Sequence, residues 1–134
     1  MTRPRKQTVD YFPHSCDHGQ TIFIIEQRYG NDGYAFWFKL LELLGRTEGH
    51  SLNCNKITTL HYLSAKTLIS QEKTLEILGL LADLEAIDPE LWKARIIWSD
   101  NFLKGLSFAY RNRDYPIPDK PVIHTGKPRI SGVT

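Results

Sequence analysis

Two short segments contain the side chains that could hold a metal ion. His14, Cys16 and His18 alternate near the start of the chain, and His50 and Cys54 follow further on. Imidazole and thiolate groups are ligands that zinc prefers, but structural zinc sites usually pair closely spaced ligands in both halves. The downstream pair, with three residues between its members, is a poor half-site. We therefore interpret the histidines as polar residues of an N-terminal arm and expect no tightly bound metal and no cofactor. Zinc is the alternative if the two segments meet.

The sequence contains none of the common motifs of catalysis or nucleotide binding. It has no Gly-x-Ser-x-Gly, no phosphate-binding loop, no Gly-x-Gly-x-x-Gly and no His-Glu-x-x-His. Glu42, Glu72 and Glu76 fall where the predicted helices face solvent, which explains these acids without catalysis. We expect the chain not to be an enzyme.

Length and composition predict one ordinary globular domain. The chain has 134 residues, of which 41% are hydrophobic and 24% are charged, and a chain of this length forms a single domain. No apolar run approaches the ~18 residues of a membrane span. The basic N-terminus has no apolar run behind it, unlike a secretory signal. Two cysteines cannot form a disulfide framework, so we expect a reducing, cytoplasmic setting and no membrane partner.

Charge is distributed unevenly along the chain. Residues 1–9 carry three basic residues and no acidic one, residues 10–98 carry eight basic against twelve acidic residues, and residues 99–134 carry six against three. The body is therefore mildly acidic, at −4, between two flanks at +3 each. Basic flanks are either solvated termini or arms that follow a phosphate backbone, and the charges alone leave both interpretations open.

The spacing of apolar residues and the capping signals predict a mainly helical chain. After an extended arm over residues 1–19, we expect helices over 20–29, 34–44, 56–67, 70–84 and 100–110. Gly30-Asn-Asp-Gly33 breaks the first helix from the second. Asn55 and Ser70 are expected to cap the third and fourth helices. Residues 34–44 are apolar nearly all round, which is typical of a central core helix. The core centre is predicted to contain Tyr34, Trp37, Phe38, Leu41 and Leu44.

Residues 86–98 predict a short β-hairpin. A turn over residues 88–90 separates two short extended stretches, and residues 93–98 are rich in β-branched and aromatic side chains. Two capped helices followed by a hairpin form a winged helix-turn-helix, here with additional N- and C-terminal helices and the short hairpin as wing. We predict this mainly α fold for residues 20–112, with residues 113–134 as a proline-rich tail or the start of a linker. The alternative is a plain helical bundle in which residues 86–98 form a loop.

Two motifs resemble a known family. Asp10-Tyr-Phe-Pro13, followed by Tyr29-Gly-Asn-Asp-Gly-Tyr-Ala-Phe-Trp-Phe-Lys-Leu-Leu-Glu-Leu-Leu-Gly45, is similar to the N-terminal domain of phage-type replisome organisers, which are DnaD-like. Residues 61–66 and 96–100 agree less sharply, and the resemblance covers roughly residues 8–112. It implies a winged-helix domain, a role in replication initiation or a related phage DNA function, replication proteins as partners, and a longer full-length protein.

The candidate DNA-binding residues lie mostly outside the helix that would enter the major groove. In a winged helix-turn-helix that helix is 70–84, where Glu72, Glu76 and Asp83 outnumber Lys73. Carboxylates that face phosphates weaken binding. We therefore expect weak and largely sequence-independent DNA contact through the basic arm, the wing and the last helix, with only a small contribution from helix 70–84. The candidate residues are Arg3, Arg5, Lys6, Lys73, Lys93, Arg95, Lys104, Arg111 and Arg113.

Two functions of different class follow from the sequence. The first is a DNA-binding module that contacts the phosphate backbone through its flanks and wing, which the basic flanks and the resemblance favour. The second is a protein-interaction or scaffold domain without DNA binding of its own, which the acidic body and the aromatic-rich sequence favour. In either case the many apolar positions of a short chain predict self-association, as a homodimer or a higher assembly.

Overall fold

The computed structural model describes residues 7–113 and 116–123. This part of the chain is mainly helical with one small antiparallel sheet, as predicted at that level. No helix within these ranges combines the length and the apolar character that a membrane crossing needs. The elements in chain order are α1 (Gln20–Arg46), a 3₁₀ turn (Glu48–His50), β1 (Leu52–Asn53), α2 (Ile57–Thr67), α3 (Gln71–Asp83), α4 (Pro89–Lys93), β2 (Ile96–Ile97), α5 (Asp100–Gly105) and α6 (Ser107–Tyr110).

Two helical parts meet at Gly30 within Gln20–Arg46, as the sequence predicts, and we label them together α1. Gly30 has φ 65° and ψ −150°, a conformation that glycine adopts at little cost. The chain is helical again directly after it. A Cβ atom on Gly33 would lie 2.8 Å from atoms of Ile25 and Tyr29, so only glycine fits where the two parts of α1 pack together. The predicted break is therefore present but limited to Gly30, and both helical parts remain in contact.

The second part of α1 is the central core helix, as predicted, but its inner face differs from the prediction. Phe36, Leu40 and Leu44 are fully buried, and their four-residue spacing puts them on one face. The prediction is confirmed for Leu44 and for the buried Leu41. Three further predicted centre residues are only half-buried: Tyr34, Trp37 and Phe38. A helix that is apolar all round has no period that identifies its inner face.

Helices α2 and α3 follow one another with a very short connection, and we call them the α2–α3 unit. Ser70 caps α3 as predicted, because its hydroxyl accepts a hydrogen bond from Lys73 N at 3.1 Å. The predicted cap of α2 is wrong, since that helix begins at Ile57 without a side-chain cap. Asn55 instead donates to Ala94 O at 2.6 Å and so ties the start of α2 to the end of α4.

The predicted β-hairpin over residues 86–98 is not formed. Residues 89–93 are the helix α4, whose N-cap Asp88 accepts a hydrogen bond from Leu91 N at 2.9 Å. Strand β2 pairs in antiparallel fashion with β1, and Ile97 lies opposite Leu52. Asp88 and Pro89 are signals for a turn and also for the first residues of a helix, and the helix prevails. The loop of the alternative prediction is wrong for the same segment.

The last described residues pack on the body of the domain. Ser99 caps α5 by accepting from Phe102 N at 3.3 Å. Residues 116–123 have no regular secondary structure, yet Ile117 and Ile123 pack against the core. Lys120 forms an ion pair with Asp88. The start of the proline-rich segment is therefore held to the N-cap of α4 by the ion pair and to the core by apolar contacts.

Candidate interaction surface

The predicted DNA-contacting residues do not form one described surface. Arg3, Arg5 and Lys6 of the basic arm lie outside the described residues. The other six are spread over α3, the segment around α4, and the C-terminal helices: Lys73, Lys93, Arg95, Lys104, Arg111 and Arg113. Their surroundings differ from one residue to the next.

The two basic residues assigned to a wing are engaged within the protein. Lys93 Nζ lies 3.1 Å from Glu90 Oε2, with both side chains about three-quarters exposed. Arg95 has φ 62°, and its guanidinium lies 4.7 Å from the centre of the Trp92 ring. Its Nη1 also donates to Trp92 O at 3.2 Å. Because α4 and a sharp turn replace the hairpin, Arg95 packs on Trp92 at that turn and Lys93 lies on the exposed side of α4.

The C-terminal basic residues fall into two groups. Arg113 Nη1 donates to Thr8 O at 2.9 Å, and its guanidinium lies 4.6 Å from the centre of the Tyr110 ring, so it joins the two ends of the described chain. Lys104 and Arg111 are exposed, and no ion pair involves either of them within the ranges 7–113 and 116–123. These two cations are the ones with the best access to an external anion.

Lys73 belongs to a small cluster between α1 and α3. Its ammonium group lies 5.6 Å from the centre of the Tyr29 ring. The Tyr29 hydroxyl donates to Glu76 Oε2 at 2.7 Å, and burial together with this bond raises the pKa of Tyr29. Tyr29 therefore stays protonated and holds Glu76 beside Lys73, which lowers the positive potential at this end of α3.

A groove of about 410 Å³ lies along α3, and we call it the α3 groove. It is lined by Leu75 and Gly79 of α3, by Tyr29 of α1 and by Trp92 of α4. Leu75 is 38% exposed. A Cβ atom on Gly79 would have no neighbouring heavy atom within 4 Å. Open space therefore lies above the backbone at the middle of α3.

The charged residues of the α3 groove balance. Arg28 and Lys93 are basic, and Glu76 and Asp83 are acidic; all four are exposed. A groove with two charges of each sign does not attract a polyanion such as DNA, but it suits a surface that also carries both signs.

Large apolar side chains are exposed on the α2–α3 unit. Leu68, the residue that ends α2, is 84% exposed and has φ 60° and ψ 37°. Ile57 and Tyr62 of α2 are 59% and 51% exposed. With Leu75 of α3, four large apolar side chains of these two helices are exposed.

The histidines and cysteines considered as zinc ligands do not meet at one site. His14 and His18 both approach the Tyr34 hydroxyl through Nε2, at 3.3 and 3.4 Å, and the His14 ring stacks on Phe38 with centroids 3.7 Å apart. Cys16 is exposed. The part of the chain that the structure describes contains no group of three or more His, Cys, Asp or Glu side chains arranged for a metal ion.

His50 and Cys54 are buried in the body of the domain. His50 Nδ1 donates to Leu44 O at 2.8 Å, and its Nε2 lies 2.6 Å from the Tyr110 hydroxyl. Burial lowers the pKa of His50 below 6.5 despite the bond to Leu44, so the ring is neutral and Tyr110 donates to it. Burial also raises the pKa of Cys54 to about 11, so its thiol is unreactive. Both residues are therefore part of the buried core of the domain.

Another cavity lies between the N-terminal segment and the end of α1. Its volume is about 520 Å³, and its charged residues include Asp10 and Glu42 against Arg46 and Lys66. Opposite charges are again balanced, and no nucleophile–base pair is present among the residues that line it. The exposed apolar residues and the α3 groove are therefore the more informative surface.

Sequence reasoning missed Leu68 and Gly79, although each carries a detectable signal. Two residues separate the end of α2 from the cap of α3, so one of them must reverse the chain, and neither is Gly or Asn. Gly79 lies in the interior of a strongly predicted helix, where glycine costs stability relative to alanine. Both residues are unfavourable for local structure, and that conflict is the signal.

The comparisons with known proteins correct the resemblance stated above. The model of the family described as Lin1244/Lin1753-like, N-terminal, matches residues 11–102. No curated protein and no solved structure matches the chain. The resemblance to DnaD-like replisome organisers is therefore wrong, because the matched model covers those motifs from residue 11 onward and represents a different family, and the replication role loses its support. Since the match spans more than half of the chain, the protein belongs to the Lin1244/Lin1753-like family and contains its N-terminal domain.

Proposed function

We propose that the domain is a non-catalytic interaction module that self-associates through its α2–α3 unit. The observation that carries the proposal is Leu68, a leucine in the left-handed backbone conformation with 84% of its surface exposed. The left-handed conformation costs a residue other than glycine roughly 1–2 kcal/mol. A leucine in this place therefore has an unfavourable backbone and an unfavourable exposure to water.

The surroundings of Leu68 support contact with another protein chain. The positions that end a helix in this way are usually Gly or Asn, and either would remove the exposed apolar side chain. Ile57, Tyr62 and Leu75 add further apolar surface on the same unit. Burying such surface against a second chain offsets the local cost, since each square ångström contributes about 25 cal/mol.

The charges of α3 support a protein partner over the major groove of DNA. The exposed residues Glu72, Glu76 and Asp83 are acidic, and Lys73 lies over the Tyr29 ring beside Glu76. A recognition helix approaches two phosphate backbones, so these carboxylates would be repelled. The finer assignment of α2–α3 as a helix-turn-helix is part of this proposal.

DNA binding through the flanks is the second candidate function. It is favoured by the basic character of both flanks and by the exposure of Lys104 and Arg111. Contacts of this kind would be weak and independent of base sequence, and affinity would fall with salt at a slope of about −0.9 per phosphate contact.

The experiment compares the whole chain with Leu68→Asn and a control, Val122→Asn. Val122 is 73% exposed and lies outside the α2–α3 unit. We expect wild type and V122N to self-associate at micromolar concentration in sedimentation velocity, and L68N to be more monomeric with unreduced stability, because asparagine tolerates the left-handed conformation. A wild-type chain that stays monomeric would overturn the proposal.

Titration of a labelled random duplex at low salt tests the second candidate. If DNA binding is the function of the flanks, the triple variant R3A/R5A/K6A and the pair K104A/R111A each weaken binding to every sequence alike. No binding at low salt would eliminate this candidate and leave self-association.

A further inference from the structure

We propose that the α3 groove binds a second copy of this chain, with the two α3 helices in close contact at Gly79. This inference rests on the proposed function and identifies where the copies meet. It is carried by three features of the groove: a glycine that the fold does not require, an exposed apolar residue beside it, and charges that are complementary to themselves.

Gly79 is unfavourable for the fold and favourable for a helix–helix contact. It lies inside α3, and a Cβ atom there would meet no heavy atom within 4 Å. Alanine would therefore fit and would stabilise the helix. Without a side chain, the backbone of α3 is open to close approach by another chain, and Leu75, one turn away, supplies exposed apolar surface at the same place.

The charge pattern selects a second copy as the occupant. In a two-fold interface the same surface is present on both sides, so it must carry groups that attract one another. Arg28 and Lys93 provide two positive charges, and Glu76 and Asp83 provide two negative ones. The Lys93–Glu90 pair is highly exposed, so it contributes little to stability. Lys93 is therefore able to pair with an acidic residue of the second copy instead.

Charge segregation gives the decisive test. The whole chain is prepared as E76K/D83K, whose groove carries only positive charges, and as R28E/K93E, whose groove carries only negative ones. All four positions are exposed, so circular dichroism and thermal unfolding should show both variants folded. We expect each variant alone to be monomeric at concentrations where wild type associates, and an equimolar mixture to form a one-to-one complex that weakens with added salt.

A glycine pair tests the close approach independently of charge. For Gly79→Ala we expect a melting temperature a few degrees higher and a dissociation constant raised roughly tenfold, the change that 1.4 kcal/mol produces. Gly105→Ala is the matched control, because a Cβ atom there also meets nothing within 4 Å, and its self-association should equal that of wild type. Greater stability together with weaker association cannot result from misfolding.

The outcomes separate this inference from the proposed function. If wild type associates and both charge variants do so equally well, or if their mixture stays monomeric, the groove assignment is overturned while self-association stands. If G79A associates as tightly as wild type, the close approach at Gly79 is overturned. If wild type is monomeric at all accessible concentrations, both proposals fail.

Discussion

Helices α1 and α3 each contain an internal glycine that lowers helix stability, and the fold explains only one of them. At Gly33 a Cβ atom would lie 2.8 Å from Ile25 and Tyr29, so the glycine allows the two parts of α1 to pack. At Gly79 the same atom would meet nothing within 4 Å. A residue that is unfavourable for local structure is therefore explained either by its neighbours in the fold or by a contact outside it.

A second pair of residues shows the same contrast at the ends of helices. His50 and Leu68 are not glycines, yet both have a positive φ, 58° and 60°. His50 is fully buried and bonded to Leu44 and Tyr110, whereas Leu68 is 84% exposed. We call the first kind of residue, Gly33 and His50, fold-required, and the second kind, Gly79 and Leu68, surface-required. The predictions below test this division.

The largest effect is expected for His50→Ala. The substitution leaves Leu44 O and the Tyr110 hydroxyl without their buried partner and creates a cavity, so stability should fall by about 2–4 kcal/mol. Chemical denaturation measures the loss. His61→Ala, at an exposed position of α2, is the control and should change stability by less than about 0.5 kcal/mol. Equal stability of the two variants would show that His50 is not fold-required.

The next largest effect is a change in stability that has opposite signs for alanine at the two helix glycines. Gly33→Ala should destabilise the domain by about 1–3 kcal/mol, because the added methyl group overlaps a packed helix contact. Gly79→Ala should stabilise it by about 0.5–1 kcal/mol, because only the helix propensity changes. Denaturant unfolding of both variants at a concentration where the protein is monomeric checks the prediction. Destabilisation by G79A would mean that the fold, and not a partner, requires that glycine.

A smaller effect concerns pH. Burial lowers the pKa of His50 below 6.5, so the unfolded chain binds a proton more readily than the folded one. The contribution of neutral His50 to stability is therefore complete above pH 6.5. It is lost as the pH falls from 6.5 through the pKa of His50 in the folded protein. The free energy of unfolding of wild type should decrease over this interval, and the decrease should be smaller in H50A. An identical pH dependence in both proteins would contradict the assignment.

The sequence predicts those elements whose signals are local. The Ser70 cap, helices α2 and α3 and the second part of α1 have clear spacing or capping residues and are formed. The pairing of β2 with β1 joins residues more than 40 positions apart, and no local pattern identifies such a partner. Asp88 and Pro89 begin a helix because α4 packs on α3, a tertiary contact that the turn signal does not contain.

The candidate surface is less predictable than the fold, because exposure depends on which side of each helix is covered. Lys93 and Arg95 alternate along the sequence as on a strand, but a helix and a sharp turn give them partners in Glu90 and Trp92. Leu68 and Gly79 could be recognised as locally unfavourable. Their openness, and the groove that connects α1, α3 and α4, require the tertiary structure.

The smallest effect on stability, and one that tests the surface around Gly79, is expected for Lys93→Ala. Lys93 and Glu90 are 3.1 Å apart but 74% and 73% exposed, and such pairs contribute little to folding. The free energy of unfolding should therefore change by less than about 0.5 kcal/mol. Self-association should weaken, because Lys93 is one of two positive charges on the α3 groove. Lys104→Ala, which removes an exposed lysine of α5 outside that groove, should leave association unchanged. If K93A and K104A weaken association equally, only the net charge matters, and Lys93 has no specific place in the contact between copies.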